Sequence, residues 1–198
     1  MGISEKQVIR YKLSFIAFTL LFSSILFAGD SESGHKNSKY FIGIGAGDGG
    51  GAYGGSFNAL RISYQSFISH NTEYNFDYLS DIGLNIWKDD SRLNAANKAF
   101  ATADLDSSNV SISYSRIIRK YISNNVFFDA GLGLSIHNNN SMNGSDLGSV
   151  YQFESRLGIG YERETYRSVL NLFHYSNAGL EGENDGVDIL MLSVSKYF

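Results

Sequence analysis

Apolar residues recur at every second position through most of the chain after residue 30, and this period of two most constrains the fold. Between Val126 and Ile136, apolar side chains alternate with a second set made of Phe127, Asp129, glycine and serine. No stretch in this region has a sustained helical period. Similar alternation occurs in eight segments: 40–47, 60–68, 76–87, 110–118, 125–137, 149–161, 169–176 and 187–198. The pattern predicts an all-β chain with about eight strands.

Two all-β architectures fit alternating strands. A soluble sandwich or lipocalin-like barrel turns its apolar face inward, whereas a membrane barrel turns that face to lipid and its polar face to the lumen. The less apolar faces of the segments mix glycine and serine with opposite charges, at Arg61, Asp81, Asp129, Glu154 and Arg156. Such faces would fill a narrow lumen with ion pairs. The sequence therefore predicts an eight-stranded antiparallel transmembrane β-barrel.

The N-terminus has the three parts of a secretory signal peptide. Lys6, Arg10 and Lys12 precede an apolar run at 13–28, and polar residues follow from Gly29. The run is shorter than the roughly 20 residues that span a bilayer as a helix. We therefore predict a cleaved signal peptide at 1–28, rather than a retained anchor, and a barrel domain at 29–198 in the cell outer membrane.

Composition excludes several classes of function. The chain has no Cys, so it has no disulfide framework and no Cys-ligated metal. Its net charge of -4 argues against nucleic acid as a partner. His35, His70 and His137 lack a second ligand at metal spacing, and we expect each to be solvated. No metal and no organic cofactor is expected.

One group of residues in the last two strands is suited to catalysis. His174 and Ser176 are two positions apart, so they share a face of their strand. In an antiparallel hairpin, Asp188 of the last strand can lie opposite His174. A carboxylate that orients an imidazole, which in turn accepts the proton of a serine hydroxyl, is a hydrolytic triad. The intervening turn could provide an oxyanion hole through its N–H groups and the side chains of Asn177 or Asn184.

The same residues are also compatible with a polar loop at a barrel rim, with no catalytic role.

The run 174–179, His-Tyr-Ser-Asn-Ala-Gly, continued by Asn-Asp-Gly at 184–186, resembles the signature of the outer-membrane lipid A 3-O-deacylases. Segments 82–87, 128–133 and 153–160 resemble that family more loosely. The resemblance implies an eight-stranded barrel with a lipid-facing active site, which hydrolyses the ester-linked 3-hydroxyacyl chain at position 3 of lipid A.

The resemblance also implies roles for individual residues. Ser176 would be the nucleophile, His174 the base and Asp188 the acid, with Asn177 and Gly179 helping to hold the oxyanion. Family members carry Glu at the position of Asp188. Two other carboxylates, Glu183 and Asp185, are alternative acids on the loop. The implied partners are lipid A, as part of lipopolysaccharide, and the lipids of the outer membrane.

Two other functions are compatible with the sequence. A non-catalytic small barrel could serve membrane integrity or adhesion, and it would not need the Ser176 hydroxyl. An acyltransferase barrel would pass the acyl chain to an acceptor other than water, and such barrels usually hold the chain in the lumen, where this sequence leaves little room. The sequence also leaves open whether the chain forms a homodimer.

Overall fold

The computed structural model describes residues 39–49, 56–89, 108–142, 145–182 and 184–196. The chain divides into two units, Met1–Glu32 and Ser33–Phe198, and all described residues belong to the second. The predicted signal peptide at 1–28 lies outside the described residues. Among the residues that are described, no helix is long and apolar enough to cross a membrane.

The described part of the chain forms a closed antiparallel barrel of eight strands, joined in the order β1-β10-β9-β8-β5-β4-β3-β2. Each predicted segment corresponds to one strand, so the predicted eight-stranded fold is confirmed. The barrel strands are β1 (Lys39–Gly49), β2 (Ser56–Asn71), β3 (Phe76–Asp89), β4 (Ser108–Tyr121), β5 (Val126–His137), β8 (Tyr151–Glu162), β9 (Tyr166–Ser176) and β10 (Val187–Lys196).

Burial alternates along the strands and places the apolar face outside. Exposed side chains on the outer face include Ile44, Ile112, Leu157 and Leu190, whereas polar and charged side chains are buried in the lumen. A soluble barrel has the opposite arrangement. The structure therefore confirms the membrane-type barrel of the two predicted alternatives.

The charged residues that the sequence predicts to face the lumen form ion pairs with one another. Arg61 forms an ion pair with Asp81, and its Nη1 lies 3.1 Å from a Glu154 carboxylate oxygen. Arg156 lies 3.6 Å from the other carboxylate oxygen of Asp81. A Cβ atom at Gly83 would overlap the Arg61 guanidinium, so glycine provides the space for this network. Pairing is required because an isolated charge in this interior would carry a large desolvation penalty.

A second ion pair in the lumen, between Arg119 and Asp129, should contribute strongly to the stability of the barrel. Arg119 donates two hydrogen bonds of 2.7 Å to Asp129, and both side chains are buried. We expect Asp129→Ala to lower the free energy of unfolding by about 3–5 kcal/mol, because it leaves a buried guanidinium without its carboxylate. Urea unfolding in detergent micelles measures the loss, and Glu164→Ala in an exposed turn is the control. If the free energy of unfolding fell by less than about 1 kcal/mol, the ion pair of Arg119 and Asp129 would not be the stabilising contact proposed here.

The two ends of the barrel differ. Turns of three or four residues, at 72–75, 122–125 and 163–165, connect strands at one end, whereas the connections 138–150 and 177–186 at the other end are longer. The polar run 138–148 contains two short strands, β6 (Ser141–Met142) and β7 (Ser145–Asp146). Within it, the side chains of Met142 and Leu147 are fully buried in a cluster with Trp87, Tyr175 and other apolar residues. This loop is therefore packed into the barrel at its long-loop end.

Candidate active site

The register of β9 and β10 sets the geometry of the candidate site. Asp188 lies directly opposite His174, and the Nδ1 atom of His174 is 2.7 Å from Oδ1 of Asp188. The two side chains are 49% and 65% exposed, so a substrate can reach them. With the proton on Nδ1 donated to the carboxylate, the Nε2 atom of the ring is left as a proton acceptor. This is the tautomer that a general base requires.

The pair lies on the outer surface of the barrel, above rows of leucine side chains. Leu172 and Leu190 are paired across the two strands, two positions from His174 and Asp188 on the same face. Leu170 and Leu192 form the next pair on that face. The strand period of two explains this placement, because positions of the same parity share a face. The hydrophilic pair therefore borders an apolar surface.

Ser176 ends β9 and is half-buried. Among the described residues, its hydroxyl makes no hydrogen bond to the His174 ring. Its Cβ lies roughly 6–7 Å from that of His174 along the strand, a gap that the two side chains can close by rotation. The catalytic role of Ser176, His174 and Asp188 stays a prediction.

A second serine, on the neighbouring strand β8, lies near His174. Ser155 of β8 lies directly opposite His174 and faces outward. Cross-strand Cβ atoms are about 4.5–5.5 Å apart, which is closer than the spacing within one strand. Strand parity alone could not reveal Ser155, because the neighbour and register of β9 must be known first.

Tyr175 fixes the strand between the two outward residues. Its side chain points into the lumen and is fully buried, and its hydroxyl donates to Glu154 over 2.9 Å. Its ring packs edge-on against Trp87 and stacks with Phe173. These contacts hold the backbone from which His174 and Ser176 project on the other side.

The loop after Ser176 begins with a tight turn. The N–H of Leu180 donates to the carbonyl of Asn177, with 3.1 Å between the atoms. The two central residues, Ala178 and Gly179, have φ of 55° and 71°, which is the geometry of a type I′ turn. Glycine adopts this conformation readily, but alanine does not, so Ala178 stores strain beside the candidate nucleophile.

The predicted supporting residues have different environments. The Asn177 side chain is buried, and its amide nitrogen donates to the carbonyl of Leu147 over 3.2 Å. Its Oδ1 accepts the N–H of Gly179 over 2.7 Å. Donation to an oxyanion by the Asn177 amide nitrogen or by the Gly179 N–H would therefore require exchange of a loop hydrogen bond. The Asn184 Oδ1 accepts the N–H of Gly186, and its amide nitrogen has no partner among the described residues.

One of the two alternative acids, Asp185, is hydrogen-bonded to another loop rather than to His174. Asp185 accepts a hydrogen bond from the backbone N–H of Asp146, 2.9 Å away, so its carboxylate is directed to the neighbouring loop. Glu183 lies outside the described residues. Asp188 is thus the carboxylate that the structure brings to the imidazole.

The expectation that His137 is solvated is wrong. His137 is 3% exposed, with Nε2 at 2.9 Å from the Ser135 hydroxyl and Nδ1 at 2.9 Å from Oδ1 of Asn109. Although this serine, histidine and amide resemble a triad, the ring packs against Trp87 in the filled lumen, where a substrate has no access. His70 is half-buried and contacts Asp77, and His35 lies outside the described residues.

In the described ranges, no group of three or more His, Asp or Glu side chains is arranged to hold a metal ion.

Comparison with known proteins identifies related chains. The family model described as lipid A 3-O-deacylase (PagL) matches residues 58–197. The lipid A deacylase PagL of Pseudomonas aeruginosa is 38% identical over 63 residues, which are 31% of this chain and 36% of that protein. The lipid A deacylase PagL of Bordetella bronchiseptica is 32% identical over 73 residues, which are 36% of this chain and 41% of that protein. These matches span about two-fifths of the length of the curated relatives.

A solved structure shares the fold. The crystal structure of the outer membrane enzyme PagL aligns with a TM-score of 0.59 at 21% identity, covering 80% of this chain and 98% of the other. The likeness extends over nearly all of that barrel and supports the eight-stranded architecture described above.

Proposed function

The chain belongs to the lipid A 3-O-deacylase (PagL) family, and on that premise we propose that it is an outer-membrane esterase acting on lipid A. It hydrolyses the ester that links a 3-hydroxyacyl chain to position 3 of the lipid. The observation that carries this proposal is the exposed pair of His174 and Asp188, 2.7 Å apart on the outer, apolar face of the barrel. A carboxylate and an imidazole have no structural need to meet on such a surface.

The first half of the reaction forms an acyl-enzyme. Ser176 Oγ attacks the ester carbonyl while Nε2 of His174 takes the hydroxyl proton. Asp188 holds the ring and stabilises the imidazolium that forms. When the tetrahedral intermediate collapses, the C–O bond to the sugar breaks, and the imidazolium returns its proton to the departing sugar hydroxyl. The acyl chain is then esterified to Ser176.

The second half restores the enzyme. Water attacks the acyl-enzyme carbonyl while His174 accepts a proton from it, and the fatty acid leaves as Ser176 regains its hydrogen. Both halves place negative charge on a carbonyl oxygen, which needs nearby donors. The amide nitrogen of Asn184, which has no partner among the residues that the structure describes, suits this role, and Asn177 and Gly179 can contribute if their loop hydrogen bonds exchange.

An apolar groove of about 580 Å³ supplies a place for the acyl chain. Its lining includes one row of residues in register across four strands, Ala130, Leu157, Leu172 and Leu190. Leu172 lies two positions before His174 on the same face, roughly 6–7 Å away. A chain attached at the site can therefore lie in this groove while it remains within the hydrophobic layer.

The position of the site along the barrel fits a substrate in the outer leaflet. Outer-membrane barrels have short periplasmic turns and longer external loops. His174 and Ser176 are at the long-loop end of β9, opposite the short turns at 122–125 and 163–165. This orientation would place the site at the outer surface, where lipid A resides.

Mass spectrometry of lipid A tests the function. In cells whose lipid A carries a 3-linked hydroxyacyl chain, expression of this protein should reduce the lipid's mass by one such chain. Amide-linked chains should remain, since an amine is a poorer leaving group than an alcohol. Purified, folded protein should release the same fatty acid from extracted lipid A. If it releases none from several forms of lipid A, a non-catalytic barrel for membrane integrity or adhesion becomes the better explanation.

A further inference from the structure

The loop between β9 and β10 contains several glycines in the left-handed region. Within 177–186, three glycines have positive φ: Gly179 at 71°, Gly182 at 85° and Gly186 at 68°. Glycine gives the backbone more conformational freedom than any other residue. The loop nevertheless has to hold its last residues against the catalytic pair, so it needs support from outside.

That support comes from the hairpin formed by β6 and β7. The N–H of Asp185 donates to the carbonyl of Asp146, and the N–H of Asp146 donates to the carboxylate of Asp185, each over 2.9 Å. Asp146 and Asp185 are 39 residues apart in sequence. The side chain of Asp185 therefore closes a two-bond bridge between the two loops.

The hairpin is itself anchored to the barrel. Leu147 follows Asp146 and is fully buried, as is Met142 at the end of β6. The carbonyl of Leu147 also accepts a 2.9 Å hydrogen bond from Gln152 at the start of β8. A fixed hairpin can hold a flexible loop, whereas a solvated hairpin could not.

Asp185 is followed by a residue whose backbone packs on the imidazole of His174. The next residue, Gly186, packs so closely on His174 that an added Cβ would lie 3.1 Å from Cε1 and 3.7 Å from Nε2 of the ring. The Nε2 atom is the one that must take the proton of Ser176 in the proposed reaction. The backbone at 185–186 thus forms one wall of the space in which the proton moves.

From this geometry we propose that Asp185 is a positioning residue, whose carboxylate ties the active-site loop to the β6–β7 hairpin through the N–H of Asp146. This inference rests on the proposed deacylase function. Asp185 acts through the loop backbone and is not the acid of the triad.

The variants Asp185→Ala and Asp185→Asn separate this role from an electrostatic one. Alanine removes the acceptor, and we expect kcat to fall by about 10- to 100-fold because small displacements of reacting groups have effects of that size. KM should change little, since the acyl groove is lined by strand residues away from the loop. Asparagine keeps a side-chain oxygen without the charge and should restore kcat to within about threefold of wild type.

Three controls make the outcomes distinct. Glu181→Ala removes an exposed carboxylate from the same loop and should leave kcat unchanged. A gel-mobility shift on heating checks that every variant is a folded barrel. Hydrogen exchange of the Asp146 amide should accelerate in Asp185→Ala and remain slow in Asp185→Asn.

The results can overturn the inference without overturning the proposed function. If wild type is active and Asp185→Ala matches it, the bridge has no role. Equal losses in the alanine and asparagine variants would show that the charge is what matters, and Asp185 would then be an acid or an electrostatic group. Absence of fatty acid release by folded wild type would instead reject the deacylase function.

Discussion

The Ser176→Ala and His174→Ala variants, when folded, should each release fatty acid at least about a thousandfold more slowly than wild type. Alanine at 176 removes the atom that forms the acyl-enzyme, and alanine at 174 removes the only imidazole beside it among the described residues. Release from purified lipid A, measured by mass spectrometry, gives the rate. Because the residues act as one unit, the double variant should be hardly slower than either single variant.

Ser155→Ala is the matched control for that experiment. Ser155 and Ser176 both border His174, one across the strands and the other along β9, and each variant removes one hydroxyl. We expect Ser155→Ala to keep most of the activity. If it abolished release while folded Ser176→Ala worked at the normal rate, Ser155 would be the nucleophile. Normal activity in both variants would rule out a serine mechanism.

The second large effect is expected at Asp188. Asp188→Asn keeps the shape of the side chain but removes the negative charge that stabilises the imidazolium, so hydrolysis should fall by roughly a thousandfold or more. It also offers a donor that favours the wrong tautomer of His174. Asp188→Glu should retain activity, since the resemblance to the family places a glutamate there. Initial rates on purified lipid A at saturating substrate measure both effects.

A different pattern would move the acid to the loop. If Asp188→Ala left the rate unchanged while Glu183→Ala abolished it, the acid would be misassigned. The 2.7 Å contact between His174 and Asp188 argues against that result.

The barrel could be predicted from sequence because its determinants are local. In 126–136, alternate positions are apolar, and a strand period of two converts that alternation directly into an outer and an inner face. The charges Asp129 and Glu154 occupy inner positions as expected, because opposite charges in a narrow lumen can pair. The same local period placed His174, Ser176 and Asp188 on one surface.

The support of the site could not be predicted in this way. The run 138–148 reads as a polar loop, and its two buried side chains, Met142 and Leu147, show no period. Their burial depends on an apolar cluster that includes residues of β2, β3, β9 and β10. Likewise, the proximity of Ser155 to His174 depends on the β8–β9 register. These features arise only once the barrel has closed.

The alternation of inward and outward side chains around Tyr175 determines which substitutions the strand can tolerate. The side chains of Tyr175, Phe173 and Asn171 face the lumen, while His174 and Leu172 face outward from the same strand. Neighbouring residues therefore have different roles: the inward side chains stabilise the folded barrel, and the outward side chains form the candidate site. Substitutions among the outward residues can therefore change the surface chemistry while the packing of the lumen is kept, whereas a substitution of Tyr175 would affect both the stability of the barrel and the position of His174.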